Sequence, residues 1–283
     1  SMSYVLFDIG GTKTRIAVSE DLQTFTGSVQ FTTPKKFADG IQKITEEAKK
    51  LLGDASPRFI AGGIRGILDD EKGSVVTDPG GYLTDWVDQP LVQKLKKALG
   101  TDVYLENDAA LAGMGEAVYG AGAGHEIVVY HTISTGVGGV KIENGMIDDY
   151  RHGFEPGHQI LDVDHTILGD DVEPTLENLV SGGAIEKRMG VKPYDIPQSD
   201  ALWGQLANYL AHGLRNSILY WSPDVIVLGG AMIVGDPRIL LDNIIEHTNT
   251  VMGEVTEVPL ILDATLGDEG ALYGAMALLN QKV

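Results

Sequence analysis

The chain has 283 residues, 43% of them hydrophobic and 22% charged, and a formal net charge of -19. Such a composition fits one large folded domain or two modest ones, and so acidic a surface disfavours nucleic acid and anionic membranes as partners. With no cysteine, disulfides and thiolate metal sites are excluded, and a reducing interior is compatible with that.

No apolar run approaches the ~18 residues of a membrane-spanning helix. The opening residues Ser1 to Asp8 lack the basic region of a leader peptide. A cytoplasmic location is therefore expected, without nucleic-acid or membrane partners.

In chain order, Tyr4 to Asp8 reads as a buried strand that ends in Gly10-Gly11-Thr12-Lys13-Thr14. Arg15 to Ser19 returns as a hairpin, and a strand at Ser28 to Thr32 extends it to a meander. Phe37, Ile41, Ile44, Ala48 and Leu51 recur at helical spacing before Gly53. Arg58 to Gly62 is the next strand, Pro90 to Leu99 a helix closed by Gly100, and Val103 to Glu106 a short strand. Ala109 to Ala117 is expected to be helical.

The pattern then recurs. Glu126 to Ser134 is a β-branched strand that ends in Thr135-Gly136-Val137-Gly138-Gly139. Val140 to Glu143 returns, and Asn144-Gly145 signals a tight primed turn. Leu202, Leu206, Leu210, Leu214 and Ile218 mark a long helix. Val225 to Leu228 is a buried strand ending in Gly229-Gly230, Pro237 to Met252 is mostly helical, Pro259 to Ala264 is a strand and Glu269 to Gln281 the last helix. A strand running into a glycine turn and back thus occurs near residue 8 and again near residue 134, which predicts two similar α/β halves.

A glycine turn after a buried strand lets backbone approach a ligand and aim several N–H groups at it. Gly10, Gly11, Thr12, Lys13 and Thr14 suit a nucleotide's terminal phosphates, with Asp8 holding magnesium through water. A plain hairpin turn is the competing reading. Thr135, Gly136 and Gly138 form a second such turn, and Gly229 and Gly230 a third, where an adenosine would lie on bare backbone. Neither a Walker loop nor a dinucleotide fingerprint in its proper context is present.

Five ordered motifs carry a resemblance. Asp8-Ile9-Gly10-Gly11-Thr12-Lys13, Glu106-Asn107-Asp108-Ala109, Ser134 to Gly139, Glu155-Pro156-Gly157-His158 and Val227-Leu228-Gly229-Gly230 resemble those of the ROK family of repressors, open reading frames and kinases. The resemblance runs from about residue 4 to about residue 279. It implies the α/β, actin-like ATPase (ribonuclease H-like) fold, with two lobes around a sugar–ATP cleft. One lobe would take residues 1–107 plus about 270–283, the other residues 108–269.

The resemblance also implies ATP-dependent phosphorylation of a hexose at a primary hydroxyl, with ATP and Mg2+ as cofactors, and a homodimer. Asp108 would be the general base, and Asn107, Glu155, His158, Glu177 and Gly66 would hold the sugar. The competing reading of Asp108 is an N-cap for the following helix, and that of His158 a satisfied buried histidine. Arg65 stands where the family has the proline of a Pro-Gly turn.

Many family members bind zinc through the histidine of the Glu-x-Gly-His motif and three cysteines. Here those three positions are Leu168, Asp170 and Thr175, so no zinc is expected; either Asp170-Asp171 with polar neighbours orders the loop by hydrogen bonds, or the loop stays mobile until sugar binds. Trp86 is expected to pack within its lobe. A sugar-sensing regulator without catalysis is the second reading, disfavoured by the presence of Asp108 and by the acidic charge.

Overall fold

The computed structural model describes residues 2–283, which fall into two compact units. The first runs to Val118 and takes in Asp149–Gly153 and Asp268–Val283; the second comprises Tyr119–Asp148 and Phe154–Gly267.

In the first unit, β1 (Ser3–Ile9), β2 (Lys13–Ser19) and β3 (Thr26–Thr32) form an antiparallel meander. Helix α1 (Phe37–Leu52) follows and ends at Gly53, and β4 (Pro57–Ile64) returns parallel to β1. A small hairpin of β5 (Leu68–Asp69) and β6 (Ser74–Val75) leads to α2 (Leu91–Leu99), which closes on Gly100 in the left-handed conformation. Next, β7 (Val103–Asn107) pairs parallel to β4 and runs straight into α3 (Asp108–Tyr119). The sheet order is β3-β2-β1-β4-β7.

The second unit repeats this plan. Its meander is β8 (Ile127–Ile133), β9 (Val137–Glu143) and β10 (Met146–Ile147). Asn144 and Gly145, with φ of 51° and 76°, make the β9–β10 turn, the two positive φ values a primed turn requires. Helices α4 (Leu176–Val180), α5 (Gly182–Met189) and α6 (Leu202–Trp221) precede β11 (Val225–Gly229). Then come α7 (Ala231–Val234), α8 (Leu241–Met252) and β12 (Leu260–Asp263). The order β10-β9-β8-β11-β12, with β11 parallel to β8 and to β12, reproduces the first sheet strand for strand. The C-terminal helix α9 (Gly270–Asn280) belongs to the first unit.

Alternation along β1 assigns its two faces. Val5, Phe7 and Ile9 join Ile44 and Ala48 of α1 and Leu91 and Leu95 of α2 in one core. Leu6 and Asp8 therefore point to the opposite face, the side where α9 and α3 lie. Those two helices meet at bare backbone: a Cβ on Gly115 would stand 2.9 Å from the Gly274 nitrogen. This contact keeps α3 with the first unit as far as Val118, past the division expected after Asn107. In the second unit, Val129, Ile133, Ile226 and Leu228 meet Leu206, Leu210 and Leu214 of α6 and Ile244 of α8.

Two stretches differ from the sequence expectation. The helix expected from Pro237 begins at Leu241, because the amides ahead of it bond elsewhere: Arg238 N–H to Gln198 Oε1 at 2.9 Å and Ile239 N–H to Met232 O at 2.8 Å. Helices α4 and α5 were not expected; Thr175 and Ser181 start them, each accepting a backbone N–H three residues on. Among the described residues, no helix is long and apolar enough to cross a membrane.

Candidate active site

The first glycine turn is tightly built. Gly10 N–H donates to Lys13 O at 2.9 Å, Thr33 N–H to Thr12 O at 2.9 Å, and the Thr33 hydroxyl to Gly10 O at 2.8 Å. Thr14 is wholly buried, and its Oγ1 lies 2.9 Å from that of Thr33. Expected to touch phosphate, Thr14 instead braces the turn from inside: it follows the turn as a strand residue whose side chain enters the core. Gly11, Thr12 and Lys13 remain solvent-accessible.

Asp8 ends β1 directly before this turn. Its register partner on β2 is Arg15, whose guanidinium lies 4.0 Å from the Asp8 carboxylate and 3.5 Å from that of Asp268. On β4 the partner is Gly63, and a Cβ there would stand only 3.0 Å from the Cα of Asp108. The missing side chain thus lets the start of α3 settle on the face that carries Asp8. Burial pushes the Asp8 carboxyl up to about 7; the Asp108 charge adds to the rise and Arg15 opposes it. Burial also raises the Asp108 carboxyl, opposed by the Ala109 amide and the Arg65 charge.

Asn107 and Asp108 divide the β7–α3 junction between them. Asn107 is the cap: its Oδ1 accepts the Ala110 N–H at 3.1 Å, and its Nδ2 donates to Gly66 O at 3.0 Å. Asp108 occupies the first helical position, with Oδ1 on the Ala109 N–H at 2.8 Å. Glu106, in the same motif, accepts the Tyr150 hydroxyl at 2.8 and 2.9 Å. Gly66 has φ of 106°, and a Cβ there would stand 2.7 Å from Thr77 O and from Val75 Cγ2, so that turn accepts only glycine.

Two further residues complete this corner. A Cβ on Gly11 would stand 2.8 Å from Tyr82 Cβ and 3.0 Å from Arg65 Nη1. The Arg65 guanidinium lies 5.3 Å from the centre of the Tyr82 ring. Asp78 positions Tyr82, its carboxylate accepting the Leu83 N–H at 2.8 Å and the Thr84 hydroxyl at 2.7 Å. Arg65 is legible in the sequence only as a substitution in the Pro-Gly turn, and Tyr82 carries no local signal. Trp86 packs inside the first unit, its indole N–H on Pro34 O at 3.0 Å.

The second unit gathers its own set. Gly182 N–H donates to Ser134 O at 2.7 Å and Gly183 N–H to Thr135 O at 3.1 Å, so the start of α5 braces the Thr135–Gly138 turn. Glu177 Oε2 accepts the Val137 N–H at 2.8 Å, and a Cβ on Gly136 would meet the same oxygen at 2.8 Å. The short turn Pro156–His158 rests on the start of β9: a Cβ on Gly157 would stand 3.0 Å from Val137 Cβ. His158 Nε2 lies 3.9 Å from Glu155 Oε2, and the His158 side chain is 60% exposed, which excludes a buried structural histidine. Thr135, Gly136, Gly138, Glu155, His158 and Glu177 thus share one corner. Gly229 and Gly230 end β11, where the Gly230 carbonyl accepts the Ile233 and Val234 amides that start α7.

The loop where a zinc site would lie has a different organiser. Asp162, 4% exposed, accepts the N–H groups of Thr166 at 3.0 Å, Ile167 at 3.0 Å and Leu168 at 2.8 Å. Burial would raise its carboxyl, but these amides hold it below the usual carboxylate range. Asp162, rather than the expected Asp170-Asp171 pair, thus ties this loop. The residues at the three cysteine positions do not fit zinc: Leu168 offers no ligand atom, and zinc prefers nitrogen or sulfur to the oxygens of Asp170 and Thr175. A cavity of about 530 Å³ in the first unit, lined by Asp69, Lys72, Lys96, Glu106 and Lys282 among others, contains no expected site residue.

Residues 4–282 match the model of the ROK family. A fructokinase of Streptococcus mutans is 27% identical, over 99% of this chain and 96% of its own. A ROK hexokinase from Thermus thermophilus superposes with a TM-score of 0.85 at 29% identity, covering 99% of both chains. A ROK family glucokinase from Streptomyces griseus, in complex with glucose and AMPPNP, gives 0.80 at 25% identity, again over 99% of both chains.

Proposed function

The chain belongs to the ROK family and has the actin-like ATPase fold, and from that premise we propose that it is an ATP-dependent sugar kinase. The reaction is transfer of the γ-phosphoryl group of ATP to a primary hydroxyl of a hexose, glucose-like, fructose or an N-acetylated amino sugar. Relatives named fructokinase, glucokinase and N-acetyl-D-glucosamine kinase support sugar phosphorylation as the class.

The observation that carries the reading is Asp108: a carboxyl raised by burial, at the first position of α3, released from capping by Asn107 and close to Asp8. Phosphoryl transfer needs positioning, charge compensation and a proton acceptor more than covalent help. Asp108 takes the hydroxyl proton as the new oxygen–phosphorus bond forms. Gly10, Gly11, Thr12 and Lys13, with Thr135, Gly136 and Gly138, hold phosphates, and Gly229 and Gly230 offer bare backbone to the adenosine. Glu155, His158, Glu177 and Asn107 supply donors and acceptors to sugar hydroxyls, with Gly66 shaping the turn beneath Asn107.

Magnesium fits the first unit, because Asp8 and Asp108 bring two carboxylates together with only partial compensation from Arg15. Asp8 would hold it through water, and bound there the ion neutralises phosphate charge.

The test is ADP release measured across glucose, fructose, mannose, allose and N-acetylated amino sugars. Turnover with at least one hexose, dependent on ATP, is expected. If every sugar binds by thermal shift and none is phosphorylated, a sugar-sensing regulator replaces the kinase.

A further inference from the structure

We infer that Arg65 contacts the phosphoryl group in transit, an assignment that rests on the kinase reading above and adds a residue to it. Its place is fixed from both sides. Gly66 follows it in a turn held by the Ile67 N–H on Thr77 Oγ1 at 2.8 Å, and the Gly66 carbonyl is tied to the Asn107 side chain. The guanidinium then lies along Gly11 and beside the Tyr82 ring.

What the guanidinium lacks is an anion paired to it. It is half-buried, and among the described residues it makes neither a hydrogen bond nor an ion pair; its partner is the face of an aromatic ring. A guanidinium presents five N–H donors in a planar fork that matches two oxygens of a phosphate. The contact with the Tyr82 ring holds the charge in place without using those donors. Gly11, in the glycine turn assigned to phosphates, lies alongside the guanidinium, whose charge acts on Asp108, the assigned proton acceptor. An anion that enters between Gly11 and Asp108 meets Arg65.

In the reaction, the sugar oxygen bonds to the γ-phosphorus as the bond from that phosphorus to the β–γ bridging oxygen breaks. The electron pair leaves with ADP, and the hydroxyl proton goes to the Asp108 carboxylate. Arg65 neither gains nor loses a proton. Its charge lies against the γ-oxygens as they pass from donor to acceptor, where it acts most strongly on the transition state.

Arg65→Gln should lower kcat roughly a hundredfold or more while the sugar KM stays within about threefold. Arg65→Lys should recover part of kcat, and added guanidinium ion should raise the activity of Arg65→Ala, a rescue that a merely structural role would not give. Should the Gln variant fail to fold, the Lys variant and the rescue decide. An unchanged kcat, or a loss confined to the sugar KM, overturns the assignment. A wild-type protein inactive on every sugar overturns the kinase reading instead, so the two failures are distinct.

Discussion

Asn107 caps the helix that Asp108 begins: one side chain holds the Ala110 amide at 3.1 Å while the next accepts its neighbour's N–H at 2.8 Å. Two adjacent polar residues thus divide the amides of one helix start between them.

Asp108→Asn is expected to lower kcat by roughly 10² to 10⁴-fold, the usual contribution of a positioned base, with sugar binding retained. Removing one of two neighbouring buried carboxylates should also leave the thermal midpoint unchanged or raised. Turnover near that of the wild type would remove the base.

Asn107→Ala should destabilise the protein by about 1 kcal/mol, the typical value of a lost cap, and should also release the Gly66 carbonyl. Urea unfolding measures the first effect. A variant as stable as the parent would show that capping has passed to Asp108.

Gly66→Ala tests the turn that sets Arg65. With φ at 106° and contacts of 2.7 Å awaiting a Cβ, it should lose roughly 1–3 kcal/mol of stability. Its kcat should fall further than that of a surface variant of matched stability.

His131 gives the pH dependence. It is 1% exposed, hydrogen-bonded to Ser217 Oγ at 2.8 Å, and burial lowers its pKa from 6.5 to about 4. Because the folded value is depressed, its stabilising contribution is complete above pH 6.5 and is lost as pH falls toward 4. The full difference corresponds to about 3 kcal/mol. Thermal midpoints of wild type and His131→Gln between pH 7 and 4 should converge on the acid side; parallel curves would show that His131 is not buried neutral.

Asp162→Ala should free the Ile167 and Leu168 amides to exchange with solvent, while a chelator leaves both proteins unchanged. Persistent protection of those amides would mean that something else ties the loop.

Much of the fold is legible because local chemistry and tertiary demand agree. Gly53 and Gly100 stop helices where they stand in the sequence, and Asn144-Gly145 turns the hairpin it announces. Helices α4 and α5 escape notice because the caps at Thr175 and Ser181 are followed by short segments, and Gly182-Gly183 argues against a helix. Those glycines serve close approach to Ser134 and Thr135 instead, a demand that exists only in three dimensions.

The same distinction runs through the site. Motif spacing marks Asp8, Asn107, Asp108, Glu155, His158 and Glu177, but not that Thr14 turns inward, that Asp162 rather than its acidic neighbours ties a loop, or that Arg65 lies against Gly11. Each of these depends on which backbone amides or rings a side chain meets after the chain has closed on itself.

Helix α9 has a consequence for the order in which the protein is made. It packs on β1 and β4 yet follows the whole second unit in the sequence, so the earlier-synthesised sheet keeps the part of that face not covered by α3 exposed while the later unit is still being translated. The second unit can mature first, and the nascent first sheet waits for the final helix as an exposed surface suited to chaperone capture.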